Sequence, residues 1–317
     1  MGKLKFGVFL PFYAFQAKDP NEHFRLIRAT TLECERLGYH SVWLDDHLMY
    51  NQWPILECWT TLSALSSLTS KIRLGTMVSC TSHRNPALLA KIAATFDSLS
   101  GGRLEFGIGA GTQEAEHNAY GFGFSKPAVR IDQLSESLEV IRQLWTREKS
   151  NFQGKYYSLK DAVCEPKPLQ KPYPPITVGG SGKLLIEKAT APYADRFDWG
   201  YVSSFEEYKR KLGVLKKQCK VVGRNFDKIE KSCWPGGQVI IARNRRELSE
   251  KISERKPPNA NLEDFRKCVL AGTPDECIKQ LRVYASLGVT YFMLFFGDLQ
   301  RLDELKLFAE DVVGKMS

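Results

Sequence analysis

An acid beside a histidine, Asp46-His47, ends the apolar run Ser41 to Asp45. Imidazole is the side chain whose ordinary pKa lets it take up and release a proton near neutrality, and a carboxylate beside it can set its orientation. His47 is therefore a candidate to exchange a proton or polarise a carbonyl, and Asp46 to orient it or to bond the edge of a cofactor ring. Tyr50 and Trp53 follow, suited either to lining a pocket or to packing at its rim. Two glycine-rich runs offer a different chemistry. In Gly107-Ile108-Gly109-Ala110-Gly111-Thr112 the missing side chains would let the backbone approach a ligand closely, although Thr112 stands where a dinucleotide fingerprint needs its third glycine. Val178-Gly179-Gly180-Ser181-Gly182-Lys183 leads into a helical pattern. N–H groups at such a helix start form a phosphate cradle, with Ser181 and Lys183 adding contacts; Thr177 and Leu184 exclude a Walker A loop. Glu114 and His117 form an E-x-x-H pair without the second pair that a di-metal site requires, and are read as structural.

Positioning these groups requires elements that deliver loop after loop to one face. Eight short runs rich in β-branched and aromatic residues predict strands: Phe6 to Pro11, Ser41 to Asp45, Ile72 to Ser79, Leu104 to Gly109, Ile176 to Gly179, Asp198 to Ser203, Gln238 to Ala242 and Tyr291 to Phe296. Several are almost wholly apolar, as strands buried on both faces must be. Between them lie helical stripes such as Phe24, Ile27, Thr31, Cys34, Leu37 and Ile131, Leu134, Leu138, Ile141, Trp145. Eight alternations predict an α/β fold of the (β/α)8, or TIM barrel, type as one domain over 1–317, whose active-site loops follow the strand C-termini. The stretch from Arg147 to Pro175 breaks the alternation and is read as an insertion before strand five; Glu254 to Asn261 is a second irregular stretch, suited to a rim or lid.

Composition excludes several classes. Of 317 residues, 43% are hydrophobic and 26% charged, and no apolar run nears the ~18 residues of a membrane span. The start at Met1 passes directly into a strand without a signal-peptide pattern, which predicts a cytoplasmic protein. Eight cysteines, with no C-x-x-C pair and no zinc-type clustering with histidine, read as reduced thiols, so no metal is expected. The net charge of +9 is spread along the chain among 36 acids. The run Lys209-Arg210-Lys211 with Lys216 and Lys217 reads as a solvated helix face, leaving a non-catalytic nucleic-acid-binding barrel as the alternative of another class.

The order of further segments adds a family. Ile72 to Val78, Arg84-Asn85-Pro86-Ala87-Leu88-Leu89-Ala90-Lys91, Ser100-Gly101-Gly102-Arg103-Leu104 running to Gly111, Glu116-His117 with Ala119-Tyr120-Gly121, and Phe152 to Tyr157 together resemble the luciferase-like monooxygenase superfamily, especially its coenzyme F420-dependent branch. The resemblance implies a (β/α)8 barrel, commonly a homodimer, acting on a small-molecule substrate with the cofactor ring near the barrel axis. It implies that Asp46 and His47 approach the reactive edge. It places Met77 and Val78 at a bulge behind the ring that often holds a non-prolyl cis peptide. Gly109, Ala110, Gly111 and Thr112 would lie along the ring or its side chain, and Gly179, Gly180, Ser181 and Gly182 would hold the phosphate. The implied reaction is hydride transfer to or from the deazaflavin, whose anionic tail suits a basic chain; an FMN-dependent monooxygenase is the alternative. Two departures stand out. Thr112 occupies the place where some relatives carry a catalytic Glu, with Glu114 two residues on, and Trp53 lies six residues beyond His47, so a sugar-phosphate substrate is not carried over.

Overall fold

A computed structural model describes residues 3–316 other than Gln16, Lys18, Asn51, Gln52 and Ser203. Its centre is a parallel sheet of eight strands: β1 Lys5–Phe9, β2 Ser41–Leu44, β3 Arg73–Thr76, β4 Leu104–Gly109, β5 Ile176–Gly179, β6 Arg196–Asp198, β7 Lys231–Cys233 and β8 Val289–Leu294. They run in sequence from β1 to β6, and β8 joins β1 to β7. Parallel bridges Arg196 to Glu230 and Tyr201 to Trp234 bring β6 and β7 together, so the sheet closes almost completely on itself. This is the mostly parallel barrel that the alternation predicts.

The strands bury side chains on both faces. Val8, Val42, Leu74, Phe106, Ile108, Val178 and Phe197 belong to the large core shared with the surrounding helices. Trp43, Tyr291 and Met293 form a separate cluster with Phe9, Met77 and Trp234 packed on it. Trp43 fits because Gly75 faces it: a Cβ there would lie 2.5 Å from the indole ring. Four helices matter to the site: α1 Pro20–Arg36, α2 Cys58–Leu68, α3 Pro86–Leu99 and α5 Pro127–Thr146, with the short α4 Glu114–Ala119 before the last. Asn85 caps α3 by accepting the Ala87 N–H, and Pro86 sits where no N–H is needed.

Two strands depart from the sequence expectation. The sixth lies at Arg196–Asp198, just before the apolar run Asp198 to Ser203, of which Ser203 lies outside the described residues. The seventh is Lys231–Cys233, whereas Val239–Ile241 pairs with Leu270–Gly272 in a separate two-stranded sheet with its own small core of Ile240, Leu248, Ile252 and Val269. Both missed strands carry buried polar residues, Arg196, Asp198, Lys231 and Ser232, so hydropathy hid them. Between α5 and β5 the chain forms an antiparallel hairpin, Ser150–Gln153 with Ser158–Ala162. The Glu136 carboxylate fixes its turn by accepting the N–H groups of Lys155, Tyr156 and Tyr157. No helix of the described residues is long and apolar enough to cross a membrane.

Candidate active site

A cavity of about 440 Å³ opens at the C-terminal ends of the barrel strands. Asp46 and His47 after β2, Met77 and Val78 after β3, Gly109 to Thr112 after β4, and Gly179 to Gly182 after β5 all line it, whereas Lys183 does not. The Met77–Val78 peptide bond is cis. Val78 also explains two glycines, because its side chain is wedged between β4 and β5. A Cβ at Gly109 would lie 2.7 Å from Val78 Cγ2, and one at Gly179 would lie 2.8 Å from Cγ1. These glycines thus make room for protein as well as for a ligand. Gly180, at φ +111°, holds a backbone conformation that other residues avoid, and it turns β5 into the following helix at Lys183.

The histidine and its acid are arranged differently from the sequence expectation. Asp46 is buried, and Arg84 grips its carboxylate through two nitrogens at 2.6 and 3.0 Å while the Cys80 N–H donates to it at 3.0 Å. Arg84 also reaches Glu57, whose carboxylate caps α2. Asp46 therefore ties the loops after β2 and β3 together. The carboxylate at His47 belongs to Glu116 of α4: His47 Nδ1 lies 3.1 Å from Glu116 Oε2, and the N–H groups of Leu48 and Met49 donate to Oε1. Burial alone would raise the Glu116 carboxyl, but the Leu48 N–H, His47 and the Met49 N–H outweigh it and hold the group below the usual carboxylate range. Glu114 is exposed, so the acid beside the histidine stands at 116. The sequence shows Glu116-His117 only as part of the family resemblance; in the structure 116 and 117 are the buried positions of α4.

Further groups enter that sequence reasoning did not select. His83 has a side chain only 2% exposed, lies between the rings of His117 and Phe122, and neither ring nitrogen has a hydrogen-bond partner, Glu116 Oε2 standing 3.8 Å from Nε2. Burial lowers its pKa and favours the neutral ring. Arg130 of α5 lines the cavity with its guanidinium 3.8 Å from the Phe124 ring centre and its Nε unpaired. Trp199 Nε1, after β6, is likewise buried without a partner. Asp198 accepts from Gly200 N and Trp234 Nε1, yet burial pushes its carboxyl upward. Tyr50 stacks on Tyr13 at 4.9 Å and bridges to Trp53; neither lines the cavity. The pocket is mostly apolar, sits on barrel loops and has several donors without a hydrogen-bond partner at its wall, as small-molecule sites commonly do.

Such a barrel and pocket define a class of loop-built small-molecule enzymes, and sequence comparison narrows it. Residues 4–264 match the family described as luciferase-like monooxygenase, and the chain belongs to that family. It is an enzyme of the oxidoreductase kind. A protein of Amycolatopsis mediterranei named F420-dependent glucose-6-phosphate dehydrogenase is 26% identical over 90% of this chain and 92% of its own length. Among solved structures, the coenzyme F420-dependent tetrahydromethanopterin reductase of Methanopyrus kandleri superposes with a TM-score of 0.78 over the full length of both chains at 20% identity. The oxygenating constituent of 3,6-diketocamphane monooxygenase from Pseudomonas putida, in complex with FMN, gives 0.79 over 99% of both at 18%.

Proposed function

We propose that this chain is a coenzyme F420-dependent oxidoreductase that transfers hydride between the deazaflavin and a small organic substrate. The observation that carries the proposal is the convergence of His47, held by an ionised Glu116, with Met77, Val78 and the glycine walls of β4 and β5 on one cavity. The residues present fit such a cofactor. Met77, Val78 and the bare backbone from Gly109 to Gly111 offer a flat, largely apolar wall. The loop from Gly180 to Gly182 and the unpaired Arg130 Nε offer donors to an anionic tail. When bound, the deazaflavin supplies the hydride-accepting or hydride-donating carbon. His47 delivers or removes the proton that accompanies hydride movement at a substrate oxygen, Glu116 fixes the orientation of its ring, and Asp46 holds the loop carrying it through Arg84. The dehydrogenase named above, at 26% identity over most of its length, supports the choice of coenzyme. FMN is the competing coenzyme, favoured by the similar fold of the FMN-bound monooxygenase. Titration of the purified protein with F420 and with FMN decides between them: saturable F420 binding with weaker FMN binding is expected, and tight FMN binding without F420 binding would replace the proposal.

A further inference from the structure

Cys80 and His83, three residues apart in the loop after β3, meet His117 of α4 in the cavity wall. One ligand atom from each, the thiol sulfur and two ring nitrogens, all lie within 4.8 Å of one another, and all three residues are buried. Cys80 Sγ is 3.6 Å from His117 Nε2. A tetrahedral zinc ion with Zn–S of about 2.3 Å and Zn–N of about 2.0 Å separates sulfur from nitrogen by about 3.5 Å. The observed spacing is that of two ligands on one ion.

Three features favour a metal over simple packing. His117 Nδ1–H donates to the Gln113 carbonyl at 2.7 Å, which fixes the tautomer and leaves the Nε2 lone pair facing Ser82 Oγ and Cys80 Sγ. His83 is buried with neither ring nitrogen hydrogen-bonded, a costly state for an imidazole that has no ligand to meet. Gly111 closes the cluster from below: at φ +75° it adopts the left-handed conformation, and a Cβ there would lie 2.7 Å from Cys80 Sγ and 3.1 Å from the His117 ring. Ser82 Oγ lies 3.1 Å from Cys80 Sγ and donates to His117 Nε2 at 2.5 Å, and rotation about its Cα–Cβ bond frees that space. Glu116 Oε2, 3.8 Å from His83 Nε2, supplies negative charge nearby.

We propose that Cys80, His83 and His117 form a binding site for a borderline-soft divalent cation, Zn2+ or its spectroscopic substitute Co2+. All three ligands line the cavity, so the ion enters from it and the fourth coordination position faces it. Three protein ligands with one open position is the pattern in which zinc polarises a bound oxygen. The cysteine and histidine spacing does not announce the site, because His117 arrives from the helix after β4.

Cobalt titration of the reduced, full-length protein tests it without any assay of turnover. One Co2+ per chain should bind with the visible bands of a tetrahedral complex and a thiolate-to-cobalt charge-transfer band, and Zn2+ should displace it. Cys80→Ser should abolish the charge-transfer band, and His83→Ala should weaken Co2+ binding at least about tenfold. Cys268→Ser, at the exposed cysteine, should leave both intact. Absence of the band at saturating Co2+, or its survival in Cys80→Ser, overturns the site. Should Cys80→Ser lose its native circular dichroism, His117→Gln takes its place, and unchanged Co2+ affinity in that variant also overturns it.

Discussion

The two ends of the barrel interior treat buried charge in opposite ways. At the N-terminal end Glu105 accepts from Arg73 and Arg196, with His40 3.7 Å away. Arg196 reaches Glu230 at 3.1 Å, and Glu230 in turn accepts from Lys5 at 2.9 Å. The Arg196 guanidinium lies 4.1 Å from the Tyr291 ring centre and 5.1 Å from that of Trp43. Burial alone would raise the Glu105 carboxyl, but Arg196, His40 and Arg73 outweigh it and drive it well below the usual carboxylate range. At the C-terminal end His83, Arg130 Nε and Trp199 Nε1 lack partners, and burial raises the carboxyls of Asp45 and Asp198. A network that pairs its arginines with its acids consumes its own binding capacity; one that leaves Arg130 Nε and Trp199 Nε1 bare keeps that capacity for a ligand.

That contrast is open to attack from both ends. Glu105→Ala should strip the buried Arg196 of its buried acid, leaving only the half-buried Glu230, and cost about 3–5 kcal/mol of stability in chemical denaturation. A loss below about 1 kcal/mol would show that the closed end is not a structural plug. His47→Ala should lower turnover by about 10²–10⁴ while stability changes by less than about 1 kcal/mol. Equal losses of stability and activity would merge the two ends into one structural class. Arg130→Ala should weaken coenzyme binding about tenfold, near 1.4 kcal/mol, and leave substrate KM nearly unchanged; unaltered coenzyme affinity removes Arg130 from the cradle.

The smallest effect concerns pH. Asp45 is buried with one carboxyl oxygen unpaired, and burial pushes its pKa up to about 6. The folded state then holds a proton that the unfolded chain releases near ~3.9, so stability falls as pH rises between these values. Asp45→Asn should flatten that fall in thermal denaturation across the same window, and a slope equal to that of the unaltered protein would place the titration elsewhere. Glu105 has the opposite sign. Its lowered pKa gives stability that is present above the ordinary carboxylate range and is lost only in strong acid.

Legibility in the sequence followed polarity. Leu104–Gly109 and Ile176–Gly179 have the expected bounds because apolar residues dominate both faces, so their burial is written in their composition. Arg196–Asp198 and Lys231–Cys233 are strands of the same barrel, yet the buried polar groups of the first depend on Glu105, Glu230 and Trp234, and those of the second on the Phe226 and Phe197 carbonyls, which no pattern within the strands reveals. Asp46, His47 and the two glycine runs were readable because their types and their places after strands restrict what they do. In the sequence Glu116 is only part of a segment that carries the family resemblance, with no role assigned, until α4 turns it toward His47.

The sequence by itself determined the alternating parallel barrel, the loops that carry the site and the family to which they belong. These rest on period, glycine placement and short ordered motifs, all of which are local. Only the tertiary structure decided that Arg84 claims Asp46, that Glu116 serves His47, and that Cys80, His83 and His117 share one wall. Each of these is a contact between loops of different strands, and barrel closure, rather than chain proximity, sets which loops meet.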